Sequence, residues 1–212
     1  MEVENLKRKY EERKDEIKKR LQEFKSVLNE SDERIFAELA FCLCTPQSKA
    51  TTCWKAVASL VNNNFLYSGS ESDIRPFLNS VRFGDNKSKW IVEAREKFTS
   101  DNKIQIKNLL NNFSDEVKLR EWLVENIKGL GMKESSHFLR NIGLGDNLAI
   151  LDRHILKNLV EYGAIKEIPK NLNKKNYLEI EKKMKEFANE IGIPFDELDL
   201  LFWSEETGII FK

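Results

Sequence analysis

Glycine and proline are scarce in this chain, which has nine glycines and four prolines among its 212 residues. That scarcity argues against a β-sandwich and against a disordered chain. No apolar run approaches the roughly 18 residues of a membrane-spanning helix, and the N-terminus lacks the apolar stretch of a signal peptide. We therefore expect a folded cytoplasmic protein with no membrane partner, and 41% apolar residues are enough for one large or two small cores.

Potential metal ligands are also few. The three cysteines are Cys42, Cys44 and Cys53, and the two histidines, His137 and His154, lie far from them in sequence. A structural zinc or iron–sulfur site needs about four such ligands. We therefore expect no side-chain metal centre, and we interpret the cysteines as reduced, partly buried core residues.

The chain has no excess of either charge, because 35 basic residues balance 35 acidic ones. A neutral chain does not favour a nucleic-acid partner, since many DNA-binding proteins are basic overall. It does not exclude one either, because backbone N–H groups and a local group of cations can bind phosphate.

Apolar residues recur at helical spacing through most of the sequence, which predicts an all-α fold. Ser31 and Asp152 have the side chains of helix N-caps. We predict a loop over 62–70 and a short helix over 102–112, and we judge the alternation over 103–107 too short for a strand. The first predicted helix has one apolar stripe, formed by Leu6, Tyr10, Ile17, Leu21, Phe24 and Leu28.

A Gly-x-Gly turn at Gly129 and Gly131 separates two predicted helices, the second of which begins near Met132. Glycine lets the backbone turn tightly and approach another molecule closely. The free N–H groups and the positive dipole end of the second helix would bind an anion, phosphate above all. The simpler interpretation is a plain helix connection, and the turn alone does not decide between the two.

Lys133 and Asp152 are the residues that could supply chemistry. A neutral lysine amine can attack a sugar C1′ and form a Schiff base, and a fixed carboxylate can stabilise a cationic transition state. A solvated lysine and a simple helix N-cap are the plainer interpretations. His137, four residues after Lys133, and His154, two after Asp152, could be polar contacts of the same site or buried structural histidines.

The segments Lys128–Asn141 and Leu148–Ile155 together resemble the helix-hairpin-helix DNA glycosylases. The resemblance is strongest to the prokaryotic 8-oxoguanine DNA glycosylase/AP lyases of the second Ogg family. It is specific over about 126–160 and weaker elsewhere.

The resemblance implies two helical domains with an active-site cleft between them. One would span 32–146, and the other would join 1–31 to 147–212. It also implies a monomer that acts on double-stranded DNA containing 8-oxoguanine. No cofactor is implied, apart from a structural cation that carbonyls of the hairpin could hold.

The resemblance further assigns roles to individual residues. Lys133 takes the place of the Schiff-base lysine, and Asp152 that of the catalytic aspartate. Gly129 and Gly131, together with Lys128, take the positions that hold the DNA backbone. Gln47, Arg82 and Phe83 fall where relatives fill the gap left by a flipped base or insert a wedge beside its partner. Positions associated with recognition of the damaged base are Asp199, Trp203 and Lys212.

Recognition of the lesion has a physical basis at N7, which is an acceptor in guanine and an N–H donor in 8-oxoguanine. An acceptor such as Asp199 or a terminal carboxylate at Lys212 would favour the lesion, since hydrogen-bond readout discriminates strongly. Trp203 could stack on the flipped base.

These observations predict a bifunctional repair enzyme that removes 8-oxoguanine through a lysine Schiff base and then cuts the strand by β-elimination. One alternative is an endonuclease III-like glycosylase for oxidised pyrimidines, although the chain lacks iron–sulfur cysteines. Another is a non-catalytic DNA-binding module, which would leave the pairing of Lys133 with Asp152 unexplained.

Overall fold

The computed structural model describes residues 2–212, which are mostly helical. The twelve α-helices in this range are α1 (Glu2–Val27), α2 (Asp32–Cys44), α3 (Ala50–Asn62), α4 (Phe65–Ser68), α5 (Glu71–Ile74), α6 (Gly84–Phe98), α7 (Ile106–Leu110), α8 (Glu116–Asn126), α9 (Met132–Asn141), α10 (Arg153–Glu161), α11 (Lys174–Ile191) and α12 (Phe195–Thr207). A 3-10 helix covers Arg75–Leu78, and strands β1 (Thr99–Ser100) and β2 (Lys103–Ile104) pair in antiparallel fashion. Among residues 2–212 no helix combines the length and apolar character required to cross a bilayer.

The helix caps that the sequence predicts are confirmed. The Ser31 side chain accepts a hydrogen bond from the Arg34 N–H at the start of α2, and Asp152 caps α10 in the same way. Such caps satisfy N–H groups that have no partner within the helix. The apolar stripe of α1 is buried as expected, with Leu28 partly buried just beyond the helix end.

Three local predictions were wrong, one of them that 103–107 is too short for a strand, since β2 covers Lys103–Ile104. The supposed loop over 62–70 contains the short helix α4, and most of the supposed helix over 102–112 is replaced by the β1–β2 hairpin and the shorter α7. Asp101 and Asn102 form the hairpin turn with positive φ angles of 51° and 59°. Two consecutive left-handed residues suit the turn that joins twisted antiparallel strands, and Asp and Asn tolerate this conformation best after glycine. The fold is therefore mostly helical with one small hairpin.

The buried apolar side chains form two clusters. The first takes its members from residues 27–148, and α2 lies at its centre. The second takes its members from residues 6–24 and from 149–202. Between them runs a buried ion pair in which Arg120 of α8 donates to Glu181 of α11 at 2.6 and 3.0 Å. A bidentate pair of this kind favours one relative geometry of the two helices.

Candidate active site

A cavity of about 1030 Å³ brings together residues that are far apart in the sequence. It is lined by α9, by the start of α10, by α12 and by the loop after α2. Nine of the predicted site residues line it: Gln47, Arg82, Lys133, His137, Asp152, His154, Asp199, Trp203 and Lys212. Phe83 and the hairpin residues Lys128, Gly129 and Gly131 are not part of this lining.

The hairpin between α8 and α9 requires glycine at its first position. Gly129 has a φ of +94°, and a Cβ there would lie 2.4 Å from the Trp90 ring. Gly131 is the N-cap of α9, and its N–H donates to Glu134 at 3.2 Å. The first N–H groups of α9 have no partner within the helix. Together with the exposed Lys128, this helix start can bind a phosphate group.

Lys133 lies in the first turn of α9, with 24% of its side chain exposed. Its Nζ is 3.0 Å from a carboxylate oxygen of Glu134. Glu134 also lines the cavity, and our sequence reasoning missed it. A glutamate three residues after the helix N-cap, where its side chain can reach back to the N-cap N–H, was the signal that could have found it. The carboxylate beside the amine is well placed to accept or return a proton.

Asp152 is both the N-cap of α10 and a residue of the cavity wall. Both of its hydrogen bonds, from the N–H groups of His154 and Ile155 at 2.8 and 2.9 Å, go to Oδ1. Oδ2 has no hydrogen-bond partner among residues 2–212. Asp152 lines the cavity that also holds Lys133. A capped helix start thus holds one carboxylate oxygen in place and leaves the other available to a substrate.

Asp199 is a buried acceptor whose bonding is incomplete. Its Oδ2 receives a hydrogen bond from Arg140 at 3.2 Å, whereas Oδ1 is buried with no partner among residues 2–212. Burial raises the pKa of Asp199 from 3.8 to about 6, although the charge of Arg140 opposes the shift. A buried acceptor that lacks a donor and faces a cavity is a natural contact for a ligand N–H.

The two histidines differ in environment. His137 is buried against Phe41, and its Nε2 has no hydrogen-bond partner. Burial lowers the pKa of His137 well below its usual range, and the charges of Arg140, Lys133 and Lys212 act in the same direction. A neutral imidazole therefore faces the cavity. His154 is more exposed, and its Nδ1 lies 3.4 Å from Glu206.

Lys212 is buried rather than extended into solvent. Its Nζ lies 3.6 Å from the centre of the Trp54 ring and is hydrogen-bonded to Glu38. Burial lowers the pKa of the Lys212 amine to about 8, although Glu38 opposes the shift. These contacts attach the end of the chain to the first apolar cluster. Trp203, one turn before the end of α12, is partly exposed at the cavity wall.

The residues predicted to act on the DNA duplex lie on two neighbouring loops. Gln47 and Phe83 are exposed and have positive φ angles of 57° and 59°, a conformation that costs free energy for any residue with a Cβ. The Ser48 hydroxyl accepts the Arg82 N–H at 2.9 Å and so joins the loops. Arg82 also lies over the Phe83 ring, 5.4 Å from its centre.

Three main-chain carbonyls of the hairpin are without a main-chain donor. Within residues 2–212, those of Lys128, Gly129 and Leu130 accept no main-chain hydrogen bond, and carbonyl oxygen is a ligand that hard cations prefer. By contrast, no group of three His, Cys, Asp or Glu side chains within residues 2–212 is arranged to hold a metal ion.

A glycine hairpin leads into a helix with a lysine in its first turn, beside a cavity that the Asp152 carboxylate also lines. This arrangement defines a helix-hairpin-helix protein. Comparison with known families specifies the class further. The family model "Ogg-HhH: 8-oxoguanine DNA glycosylase" matches residues 17–193. The chain therefore belongs to this family of 8-oxoguanine DNA glycosylases.

Individual relatives agree along the whole length. An 8-oxoguanine DNA glycosylase/AP lyase of Fusobacterium nucleatum is 49% identical over 204 residues, which cover 96% of this chain and 94% of that protein. The crystal structure of the Methanocaldococcus jannaschii 8-oxoguanine DNA glycosylase is 38% identical with a TM-score of 0.88, covering 100% of this chain and 96% of that one. The same archaeal enzyme in complex with a 15mer DNA containing 8-oxoguanine gives 38% identity and a TM-score of 0.86, covering 97% and 98%.

Proposed function

We propose that this protein removes 8-oxoguanine from double-stranded DNA and then cuts the strand as an AP lyase. The observation that carries the proposal is the placement of Lys133 and Asp152 on the wall of one cavity, beside a helix start that can bind phosphate. Membership of the 8-oxoguanine DNA glycosylase family supports this substrate over oxidised pyrimidines.

Lys133 acts as the nucleophile. Its neutral amine attacks C1′ of the damaged nucleotide, and the bond from C1′ to the base breaks with its electron pair leaving on the base. The free oxygen of Asp152 stabilises the positive charge that develops on the sugar. Glu134, 3.0 Å from the amine, is placed to take the amine proton. Opening of the sugar ring then gives the Schiff base.

Strand cleavage follows from the Schiff base. The iminium group acidifies the C2′ protons, so a base removes one of them and the electrons expel the 3′ phosphate. Water then hydrolyses the imine and restores the Lys133 amine. The reaction consumes no redox cofactor, because the oxidation state of the sugar is unchanged over these steps.

Selection of the lesion rests on Asp199, Trp203 and Lys212. The unpartnered Oδ1 of Asp199 accepts the N7–H of 8-oxoguanine and would repel the N7 lone pair of guanine. Trp203 supplies an aromatic face against the base, and Lys212 holds the end of the chain beside the site. Neutral His137 offers a further polar contact, whereas His154 lies at the rim.

Access to the base requires flipping it out of the duplex, at a cost of a few kcal/mol. Gln47 fills the vacated gap, and Arg82 and Phe83 contact the unpaired partner base. Gly129 and Gly131, together with Lys128, hold a phosphate of the damaged strand. A cation on the hairpin carbonyls would add positive charge towards that phosphate.

We further propose that the protein acts as a monomer of two helical domains, 32–146 and 1–31 with 147–212. The two apolar clusters divide at nearly the same residues, which supports this division. The cavity would then be the cleft between the domains.

The test is covalent trapping with borohydride on duplex DNA that contains 8-oxoguanine. Wild-type protein should give a trapped adduct, Lys133→Gln should give none, and the matched control Lys128→Gln should keep the adduct while binding DNA more weakly. Trapping at the wild-type level in Lys133→Gln would refute the assigned nucleophile. A panel of lesions separates this function from an endonuclease III-like one, because oxidised pyrimidines should be poor substrates. A non-catalytic module would bind with a steep salt dependence and trap nothing.

A further inference from the structure

Lys87, in the first turn of α6, is a fully buried cation that the mechanism above does not use. Lysine is rarely buried completely, because removing an ammonium group from water is costly. The positive end of the α6 dipole opposes it as well. Burial lowers the pKa of Lys87, and the charge of Lys133 contributes to the shift. A group kept in so unfavourable a position requires a compensating set of contacts.

Those contacts come from the last residue of α2 and from the loop that follows it. The Lys87 Nζ donates to the carbonyls of Cys44 and Pro46, both at 2.7 Å, and lies 3.4 Å from the Ser48 hydroxyl. These three acceptors match the three donors of an ammonium group. No carboxylate within residues 2–212 forms an ion pair with Lys87. The Cys44 carbonyl belongs to the negative end of α2, which favours a cation.

The same loop holds Gln47 in its left-handed conformation, between two of the groups that Lys87 contacts. Ser48 extends the connection, because its hydroxyl also accepts the N–H of Arg82. One buried ammonium group therefore holds both loops that line the cavity at Gln47 and Arg82. Without it, the loop could relax towards the negative φ that a residue with a Cβ prefers.

We propose that Lys87 is a positioning residue, which fixes Gln47 where it fills the gap left by a flipped base and Arg82 where it contacts the unpaired partner base. The proposal rests on the function proposed above. It assigns Lys87 no contact with the reacting atoms. Lys87 acts through the loop, so its loss should matter only when a base has to be displaced from the stack.

The experiment compares two substrates in single-turnover measurements on the full-length protein. Duplex DNA with 8-oxoguanine requires base extrusion, whereas duplex DNA with a preformed abasic site lacks the base whose unstacking is costly. Lys87→Met retains the length of the side chain but removes the charge and the donors. We expect excision of 8-oxoguanine to slow about ten- to a hundredfold, the effect of a small misplacement, while cutting at the abasic site slows less than about threefold. Equal losses on both substrates, or no loss on either, would overturn the proposal.

A double-mutant comparison of Lys87→Met with Gln47→Gly provides a second measurement. A Lys87 that only stabilises the fold would show no coupling to Gln47 in it. Gln47→Gly removes the gap-filling side chain and accommodates the positive φ. In combination with Lys87→Met it should slow excision by less than the product of the two single effects, because both changes act through one loop. Asn64→Gly, at another positive φ (60°) in a segment that does not line the cavity, should combine with Lys87→Met multiplicatively. Multiplicative effects of Gln47→Gly would contradict the proposal.

A Lys87→Met variant that does not fold can be distinguished from a wrong assignment of the role of Lys87. If Lys87→Met does not fold, Ser48→Ala removes one acceptor of Lys87 and the link to Arg82, and it should show the same difference between substrates. If wild-type protein yields no borohydride adduct, the proposed function fails. If wild-type protein yields the adduct and both variants excise 8-oxoguanine at its rate, only the role of Lys87 fails.

Discussion

Replacing Asp199 with asparagine should change how stability depends on pH. The side chain is 7% exposed, its Oδ1 lacks a partner, and its pKa is raised to about 6 by burial. Asparagine has nearly the same shape but does not ionise. The difference in unfolding free energy between Asp199→Asn and wild type therefore isolates the titration of this one carboxyl group.

The sign follows from proton binding. Between about pH 4 and pH 6 the folded protein holds a proton on Asp199 that the unfolded chain, with a pKa near 3.9, releases. The contribution of Asp199 to stability is thus fully present below pH 4 and is lost as the pH rises through 6. A pKa of about 6 in place of 3.8 corresponds to roughly 3 kcal/mol. Asp199→Asn should therefore gain up to about 3 kcal/mol relative to wild type between pH 4 and pH 7.

Urea unfolding at several pH values measures this difference. The part of the Arg140 contact that depends on the Asp199 charge is already contained in the pKa of about 6. The rest of the lost hydrogen bond with Arg140 shifts the stability of the variant by an amount that does not vary with pH. The prediction therefore concerns only how the difference in unfolding free energy changes with pH, and not the absolute size of that difference. A difference that stays constant, or that falls as the pH rises, would refute a raised pKa for Asp199. In the same pH range, binding of 8-oxoguanine duplex by a Lys133→Gln background should strengthen as Asp199 ionises, and this trend should vanish when Asp199→Asn is added.

Three further results are expected. Asp152→Asn should keep the cap of α10, because asparagine caps as well as aspartate, so the melting temperature should be nearly unchanged. Excision should nevertheless slow about a hundredfold or more. An excision rate near that of wild type would contradict the role of Asp152. Gly129→Ala should destabilise the protein by at least about 1–3 kcal/mol, because its Cβ would clash with Trp90. It should also weaken DNA binding in a gel-shift assay. Unchanged binding would argue against a phosphate site at the hairpin. Glu181→Gln should lower the free energy of chemical unfolding by about 3–5 kcal/mol, because Arg120 stays buried without its charged partner. A loss of less than about 1 kcal/mol would show that water reaches the pair.

The helices could be predicted from sequence because their signals are local. Helical spacing of apolar residues and the caps at Ser31 and Asp152 depend on neighbours within a few positions. The β1–β2 hairpin was missed for the same reason, since its strands are two residues long and its turn is formed by Asp101 and Asn102. No periodic pattern can develop over so short a strand.

The candidate site was only partly accessible to the same reasoning. Lys133 and Asp152 stood out because they adjoin the hairpin and a predicted cap. Glu134 could have been found from its capping-box spacing, but no local pattern indicates that Lys87 contacts a loop some forty residues earlier. Its burial follows from packing of α6 against α2, which sequence spacing does not encode.

Three unfavourable groups border the cavity and support its role as the substrate-binding surface. Among residues 2–212, Asp199 Oδ1 and His137 Nε2 are buried without a partner, and both residues line the cavity. Gln47, also on the cavity wall, holds a conformation that its Cβ opposes. Selection for stability alone would remove such features, since many substitutions can relieve them. At the cavity, a flipped base and the distorted DNA around it would supply the missing partners of Asp199 and His137, so DNA with the lesion should stabilise this protein by more than its electrostatic binding accounts for.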